Sequence, residues 1–478
     1  MQSIWNQSCP IGTRPALQED IKADVAVIGA GMAGILTAYL LQKEGKRVVI
    51  LEADSICSGQ TGHTTAKITC QHGAIYHRLC REFGETTAGL YAQANQQAVY
   101  DYRSLIEHRG ISCDFCELPA LLYTTLSGEE LEREHQAALA LGISSGLVRE
   151  TALPFPVTRA LRFDGQAQFH PLRFVSALTS ELSIYERSPV CSVENTLVST
   201  EQGSVQAEHI VFACHYPFVN VPGYFFLRMH QERSYVLALK HAQSLDGMYY
   251  GIDPGGHSLR QSGNYLLLGG QNHRTGENST GGCYDRLRTT AKKLWRDCVE
   301  ISHWSAQDCM TLDGIPYIGR FSSSHPNWYV ATGFGKWGMT SSMAAARLLR
   351  DLVMGLDNPY EKLFSPGRFS LSASAKNMLK DGYQAVKGLS REIFSPPKEM
   401  LDTLEPGHGG IVSFNGHKAG VYKEEDGTVH VVSARCPHLG CQLEFNPDEQ
   451  TFDCPCHGSR FDFHGNQIDG PAQKGIRP

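Results

Sequence analysis

Six cysteine and histidine residues close to the C-terminus have the types and the spacing of a metal centre. They form two boxes separated by about fifteen residues: Cys436-Pro-His438-Leu-Gly-Cys441 and Cys454-Pro-Cys456-His457. On facing hairpin loops, two thiolates and two imidazoles can hold a binuclear iron cluster, with the imidazoles making it easier to reduce than a four-cysteine cluster. A structural zinc ion with two Cys and two His ligands is the alternative.

A glycine fingerprint near the N-terminus indicates nucleotide chemistry. Gly29, Gly31 and Gly34 lie between the apolar run VAVI and the helical segment ILTAYLLQ, and Glu52 ends the following run RVVILE. Such glycines let the backbone approach a pyrophosphate at a helix N-terminus, while the acid accepts hydrogen bonds from ribose hydroxyls. The alternative is a glycine-rich turn in an α/β domain that binds no nucleotide.

The elements that position these motifs divide the chain into two unlike parts. Buried-type apolar runs bounded by glycines recur up to about residue 355, which predicts an α/β sheet; a linker follows over 356–400. From about 401 to 478, short β-type runs alternate with Gly, Asn and Asp turns, typical of a small all-β domain.

Composition narrows the function classes. A net charge of −6 provides no basic field for nucleic acid. No apolar run reaches the roughly eighteen residues of a membrane span, and no secretory signal is recognisable, so we expect a cytoplasmic protein without a transmembrane segment.

The boxes CPHLGC and CPCHGS, with the later Gly470-Pro471-Ala472, closely resemble the Rieske [2Fe–2S] domain. The resemblance implies the ligands Cys436, His438, Cys454 and His457. It also implies a disulfide between Cys441 and Cys456, and a hydrogen bond from Ser459 to the cluster. Zinc would not explain these additional residues.

The N-terminal part resembles the superfamily of D-amino acid oxidase, glycine oxidase and sarcosine oxidase, which binds FAD. The resemblance is carried by SGQTGHTTA after Glu52, by DGIPYIG and by ATGFGKWGMT. It implies a glutathione-reductase-type, Rossmann-like FAD domain with an inserted α+β substrate domain. The FAD contacts that the motifs and the resemblance imply are Gly29, Gly31, Gly34, Glu52, Ser58, Thr61, His63, Val190, Ala213, Gly333, Gly335, Lys336 and Gly338.

Two of these residues carry open alternatives. His63 matches a histidine that some relatives join covalently to the flavin, or it is a loop histidine near FAD without a bond. Lys336 reinforces a helix dipole that stabilises reduced flavin, or it is an ordinary solvated lysine.

We expect the FAD-binding segments at about 20–85, 146–220 and 300–355, and the substrate domain at about 86–145 and 221–299. Tyr250 and His273, at strand ends of the substrate domain, are candidate catalytic residues that face the flavin; the alternative is packing or surface residues.

The predicted function is an FAD-dependent dehydrogenase. It oxidises a small amine, amino acid or hydroxy acid and passes electrons through the Rieske cluster to an external redox protein or quinone. Two alternatives are an oxygen-using oxidase with a structural Rieske domain, and a redox sensor that turns nothing over.

Overall fold

The computed structural model describes residues 2–368, 399–400, 404–414 and 417–477. Among them, no helix combines the length and apolar character needed to cross a membrane. The α-helices are Ile4–Ser8, Met32–Lys43, Tyr76–Phe83, Glu85–Arg109, Glu129–Ala140, Pro171–Thr179, Cys283–Leu294, Gly338–Val353 and Glu361–Phe364, and 3-10 turns cover Gln60–His63 and Phe225–Leu227.

The first sheet is built around the parallel strand Ile21–Ile28, in which Val25 to Ile28 are buried on both faces. An apolar run without alternation is what a strand covered by helices on both sides requires. The sheet contains Ser192–Glu194, Leu197–Ser199, Ser204–Phe212, Ile21–Ile28, Val48–Leu51 and Ser183–Tyr185 in this spatial order, with His325–Thr332 beside Ser204–Phe212 and Tyr317–Ser322 beyond it. The predicted α/β architecture is confirmed.

The second sheet is mostly antiparallel. Its order is Val299–Thr311, Met229–Lys240, Tyr265–Arg274, Ser258–Ser262, Met248–Gly251, Ala120–Thr124, Arg159–Phe163 and Ser145–Val148. Lys67–Ile68, Ala167–Gln168 and Cys116–Glu117 pair with one another as a separate small sheet.

Three strands of the second sheet come from the neighbourhood of the segments expected to bind FAD. Those segments are predicted at about 146–220 and 300–355, and Ser145–Val148, Arg159–Phe163 and Val299–Thr311 pair in the second sheet. Conversely, Glu85–Arg109 packs on the helix Gly338–Val353, where Tyr102 Oη donates to Met339 O (3.0 Å). Short apolar runs reveal a buried strand but not its sheet, because the pairing partners are distant in sequence.

The C-terminal domain consists of two small sheets. One contains Glu399–Met400, Gly409–Phe414, His417–Lys423 and Val429–Ser433, and the other contains Glu444–Asn446, Thr451–Asp453, Arg460–Asp462 and Gln467–Asp469. These strands agree with the small all-β domain expected there. Of the predicted linker 356–400, residues 369–398 lie outside the described residues.

Candidate functional site

The glycine loop is packed too tightly for side chains. A Cβ on Gly29 would lie 2.6 Å from the carbonyl oxygen of Ala213, and one on Gly34 would lie 2.0 Å from that of Gly29. Gly29 also has a φ of +107°, which glycine adopts without strain. The helix Met32–Lys43 therefore begins directly against the strand edge, with its N-terminus at the loop.

Glu52 and Thr61 hold this loop from opposite sides. The Glu52 carboxylate accepts from the backbone N–H of Ala30 (2.7 Å) and of Asp54 (3.0 Å), and its burial raises its pKa. Thr61 Oγ1 accepts from the N–H of Met32 in the first helical turn (2.9 Å). The cradle fits a dinucleotide, because its shape excludes side chains and it brings helix N–H groups to one place.

Three further residues predicted to contact FAD, Ser58, Ala213 and Val190, lie in segments next to this loop or beside the C-terminal domain. The Ser58 N–H donates to Ser55 O (3.0 Å) in the loop that leads to Thr61. The N–H of Ala213 donates to Ile28 O (2.9 Å). The Val190 carbonyl accepts from Gln473 Nε2 of the C-terminal domain (3.3 Å).

A second glycine-rich turn precedes the helix Gly338–Val353. A Cβ on Gly333 would lie 2.3 Å from Thr311 Cγ2, and the N–H of Gly335 donates to Cys309 O (2.9 Å). The N-cap Trp337 provides no side-chain cap, so this helix end has N–H groups to offer to an electron-rich ligand.

An inner cavity lies between this helix end and the second sheet. Its lining includes four of the ionisable or aromatic side chains discussed below, His63, Lys67, Tyr250 and Lys336, together with Trp337 and Gly338. A larger, open cavity continues outward from Tyr250 and Lys336 past His273. The outer cavity, of about 720 Å³, has the size of a small-ligand site.

Lys336 is not a solvated lysine. Its side chain is 17% exposed, and Nζ forms ion pairs with Asp308 (2.8 Å) and Glu232 (3.3 Å). Burial by itself lowers the pKa of Lys336, but the two carboxylates outweigh it and raise the pKa above its ordinary value. The ammonium is therefore charged and locally neutralised.

Tyr250 lines the inner cavity, whereas His273 does not. The Tyr250 ring meets Trp337 edge-on, with centroids 5.4 Å apart. His273 Nδ1 donates to Arg274 O (2.8 Å) and Nε2 accepts from Tyr235 Oη (3.0 Å), at the edge of the outer cavity. Of the two predicted catalytic residues, the structure brings only Tyr250 to the space beside the second glycine turn.

His63 lies at the wall of the inner cavity. Its Nδ1 donates to Gly59 O (2.8 Å), and its carbonyl accepts from Trp304 Nε1 (2.8 Å). Burial lowers the pKa of His63, which favours the neutral ring. A covalent flavin bond at this histidine stays a prediction.

The C-terminal boxes bring together the four predicted cluster ligands. Cys436 and Cys454 are both buried in the core of this domain, and the rings of His438 and His457 lie 4.9 Å apart at 88°. A disulfide joins Cys441 to Cys456, as the resemblance implied.

The donor set fits an iron–sulfur cluster. His438 Nδ1 is buried without a hydrogen-bond partner among the described residues, and burial lowers the pKa of this ring to about 4. A neutral imidazole with a free buried nitrogen is a ligand that a metal would satisfy.

The cluster loops dock on the oxidoreductase part through their histidines. His438 Nε2 donates to Asn220 Oδ1 (2.8 Å), and the Phe226 ring lies edge-on to both histidine rings at 6.4 and 6.0 Å. Gln231 Nε2 donates to His457 O (2.8 Å), and Gln307 Nε2 donates to Gly458 O (2.9 Å).

Sequence reasoning missed this interface and Lys67. Asn220, Gln231 and Gln307 carry no local motif, since their partners lie more than 150 positions away. Lys67 comes directly after the loop that carries His63, so its place in the sequence was known. Its burial could not be predicted from the sequence.

The fold and the two sites define a flavin-dependent enzyme fused to a Rieske domain. The profile of the family described as FAD dependent oxidoreductase matches residues 24–352, and that of the Rieske [2Fe-2S] domain matches 400–478. The chain belongs to the FAD-dependent oxidoreductase family, with FAD and a Rieske [2Fe–2S] cluster as its cofactors. The predicted fold class, enzyme class and cofactors are thereby confirmed.

Relatives support the same architecture. The Rieske 2Fe-2S iron-sulfur protein YhfW of Bacillus subtilis is 38% identical over all of this chain and 97% of its own. Gamma-glutamylputrescine oxidoreductase of Escherichia coli is 25% identical over 73% of this chain and 87% of its own. The structure of glycine oxidase from Geobacillus kaustophilus covers 73% of this chain and 99% of its own, with a TM-score of 0.62 and 19% identity, a likeness of fold.

Proposed function

We propose that this enzyme oxidises a small amine, amino acid or hydroxy acid at FAD and passes the electrons to its own Rieske cluster. An external redox protein or quinone then receives them. FAD, when bound, accepts the two electrons that leave the substrate, and the cluster accepts one at a time.

The substrate side of the proposal is supported by the inner cavity. It lies at the uncapped end of the helix Gly338–Val353 and is lined by Tyr250, His63 and Lys336. The E. coli relative is named for an amine substrate, and the similar fold belongs to a glycine oxidase, so amines and amino acids are the first compounds to test.

The relay is carried by the docking of the cluster histidines. In a Rieske domain the imidazole ligands form the edge of the cluster nearest to the surface, and here that edge contacts Asn220 and Phe226 of the oxidoreductase part. Gln307 also links the cluster loop to the turn Gln60–His63, because its backbone N–H donates to Gln60 Oε1 (2.6 Å). These hydrogen bonds connect the cluster loop to the loop that carries His63, which favours transfer within the chain.

The test is to record the visible spectrum and the EPR spectrum of the holoenzyme before and after anaerobic addition of single amines, amino acids and hydroxy acids. We expect one class to bleach the flavin bands and to produce the Rieske EPR signal in the same sample. The control is Cys436→Ser, in which the substrate bleaches the flavin but no Rieske signal develops.

Two results would contradict the relay. Fast oxygen consumption by the reduced wild type, with the cluster left oxidised, would identify an oxidase with a structural Rieske domain. Bleaching by dithionite alone, with no effect of any panel compound, would favour the redox sensor.

A further inference from the structure

Lys67 is a half-buried amine in an unusual position. It lies in the short strand Lys67–Ile68, directly after the loop that carries His63. Its Nζ donates to the carbonyl oxygen of Tyr249 (2.7 Å) and to Ser258 Oγ (2.8 Å). Within the part of the chain that the structure describes, no carboxylate forms an ion pair with it.

The side chain lines the inner cavity. It shares this lining with His63, Tyr250 and Trp337, and Nζ lies 6.0 Å from the centroid of the Tyr250 ring. The other lysine of the cavity, Lys336, is neutralised by Asp308 and Glu232. Lys67 therefore differs from Lys336 in having hydrogen-bond acceptors but no counter-charge.

The surroundings of Lys67 favour its neutral form. Burial and the positive charge of Arg260 lower the pKa of Lys67 to about 7. Arg260 is held close by, since its Nη1 donates to the carbonyls of Thr65 and Ala66 (both 2.7 Å). The other ionisable groups of the cavity are His63, Tyr235, Tyr250 and the Lys336–Asp308 pair. None of them supplies an unpaired negative charge near neutral pH.

We propose that Lys67 is a catalytic residue that accepts the proton of an ammonium substrate in the inner cavity. A neutral amine has two N–H bonds and one lone pair. The acceptors Tyr249 O and Ser258 Oγ use both N–H bonds, which leaves the lone pair for a third direction. The chemistry rests on the proposed function, and it specifies amines, including amino acids, as the substrate class.

The proton transfer explains why such a residue is needed. An ammonium nitrogen has no lone pair to assist the removal of hydride from the neighbouring carbon. In the proposed step one N–H bond of the substrate breaks and one N–H bond forms on Lys67, with no change of oxidation state. The two electrons leave the substrate afterwards, in the FAD chemistry that the family supplies.

The kinetic test compares Lys67→Met and Lys67→Arg with the wild type by anaerobic stopped flow. Bleaching of the flavin by the panel amines, glycine and putrescine included, is followed from pH 5.5 to 9.5. In the wild type we expect the rate to rise about tenfold per pH unit below pH 7 and then to level off. Both variants should lose this limb, and their rates at pH 8 should fall by about 10²–10⁴-fold.

The arginine variant separates two roles. An arginine stays protonated and cannot accept the proton, but it still holds a carboxylate. A Lys67→Arg enzyme with wild-type rates, beside a Lys67→Met enzyme with only a raised KM, would overturn the proton-acceptor role and identify a carboxylate anchor. Flavin content and the Rieske EPR signal check that both variants fold, and the exposed Lys22→Met is the matched control.

Two further outcomes keep the inference apart from the proposed function. If no amine bleaches the wild-type flavin, the proposed function fails; if amines bleach it and Lys67→Met keeps the wild-type pH profile, only the Lys67 inference fails. Independently of turnover, competitive acetylation of the holoenzyme with acetic anhydride, read by peptide mass spectrometry, should give Lys67 a midpoint near pH 7. A midpoint equal to that of Lys22 would overturn the inference.

Discussion

Single residues decide whether each cofactor can be held. Gly34 is a direct case, because a Cβ there would lie 2.0 Å from the carbonyl oxygen of Gly29. A methyl group must push the helix Met32–Lys43 away from the strand, and the cradle would then be lost.

We therefore expect Gly34→Ala to lose its FAD almost completely while it retains the cluster. The measurement is the ratio of flavin to iron in the purified protein. Gly12→Ala is the matched control, because no atom lies within 4 Å of its Cβ position. A Gly34→Ala enzyme with a full complement of flavin would show that the glycine is not needed for the cradle.

Ser459 is a residue beside the cluster whose hydroxyl is expected to influence the redox potential. The residue is fully buried, its hydroxyl accepts from the N–H of Ala472 (3.1 Å), and it hydrogen-bonds to Cys436. A donor to a ligand sulfur stabilises the more negative, reduced cluster. We expect Ser459→Ala to lower the midpoint potential by about 50–100 mV, as for one charge-assisted hydrogen bond. EPR-monitored redox titration measures this, with Ser204→Ala as the control; an unchanged potential would exclude the bond.

At the scale of elements, a buried ion pair joins the two parts of the chain. Arg233, on the strand Met229–Lys240, contacts Glu449 of the C-terminal domain at 2.6 Å, and Arg460 contacts the same carboxylate at 3.1 Å. The side chains are only 2% to 7% exposed. Asp448 adds to the contact by accepting from the N–H groups of Gly282 (2.9 Å) and Cys283 (3.0 Å).

Glu449→Gln should weaken this docking strongly. The substitution removes the carboxylate that Arg233 and Arg460 share, although Arg460 keeps its ion pair with Asp453 (3.2 Å). Removing one partner of a buried pair costs about 3–5 kcal/mol. Small-angle X-ray scattering should give a larger radius of gyration, and flavin-to-cluster electron transfer should slow. Glu405→Gln, on an exposed carboxylate of the same domain, is the control. A variant as compact as the wild type would mean that other contacts dominate.

The same carboxylate sets the acid limit of the docking. Burial by itself raises the pKa of Glu449, but Arg233 and Arg460 outweigh it and lower the pKa to about 2. A carboxylate whose pKa is lowered in the folded, docked state stabilises that state at any pH above the pKa that the group has when unfolded. This contribution is lost as the pH falls through the lowered pKa. We expect scattering profiles to be constant from pH 5 to 8, and docking to weaken below about pH 4 and to be lost as the pH approaches 2. Undocking between pH 5 and 6 would contradict this assignment.

At the scale of the whole molecule, the two cofactors should titrate in one chain. A reductive titration with dithionite should take up about three electrons per wild-type chain, two at the flavin and one at the cluster. Cys436→Ser should take up about two, because it lacks a cluster ligand, and Cys191→Ser, at an exposed cysteine, should match the wild type. An uptake of two electrons by an enzyme with full iron content would show a cluster out of contact with the reductant.

The inward orientation of the cluster histidines bears on where an external acceptor can bind. The predicted function passes electrons from the cluster to an external redox protein or quinone. In the structure, His438 contacts Asn220 of the same chain, so that edge faces the oxidoreductase part. If electrons enter the cluster through this edge, they must leave for an external acceptor at another part of the cluster surface.

The sequence by itself determined the features that depend on local chemistry. The glycine spacing at Gly29–Gly34, the strand–turn–helix pattern and the two metal boxes each act within a few residues, so their types and intervals predict a nucleotide site, a metal centre and the fold class. FAD and the Rieske cluster were implied by the resemblance to known families. The disulfide pairing followed from the resemblance to Rieske domains, and the structure forms it.

Only the tertiary structure decided which distant residues meet. The sheet to which Val299–Thr311 belongs, the pairing of Lys336 with Asp308 and the docking of Glu449 on Arg233 join positions far apart in the chain. The burial that makes Lys67 a weak base is of the same kind. Charge, pKa and pairing depend on what surrounds a side chain in space, and a linear pattern does not specify those surroundings.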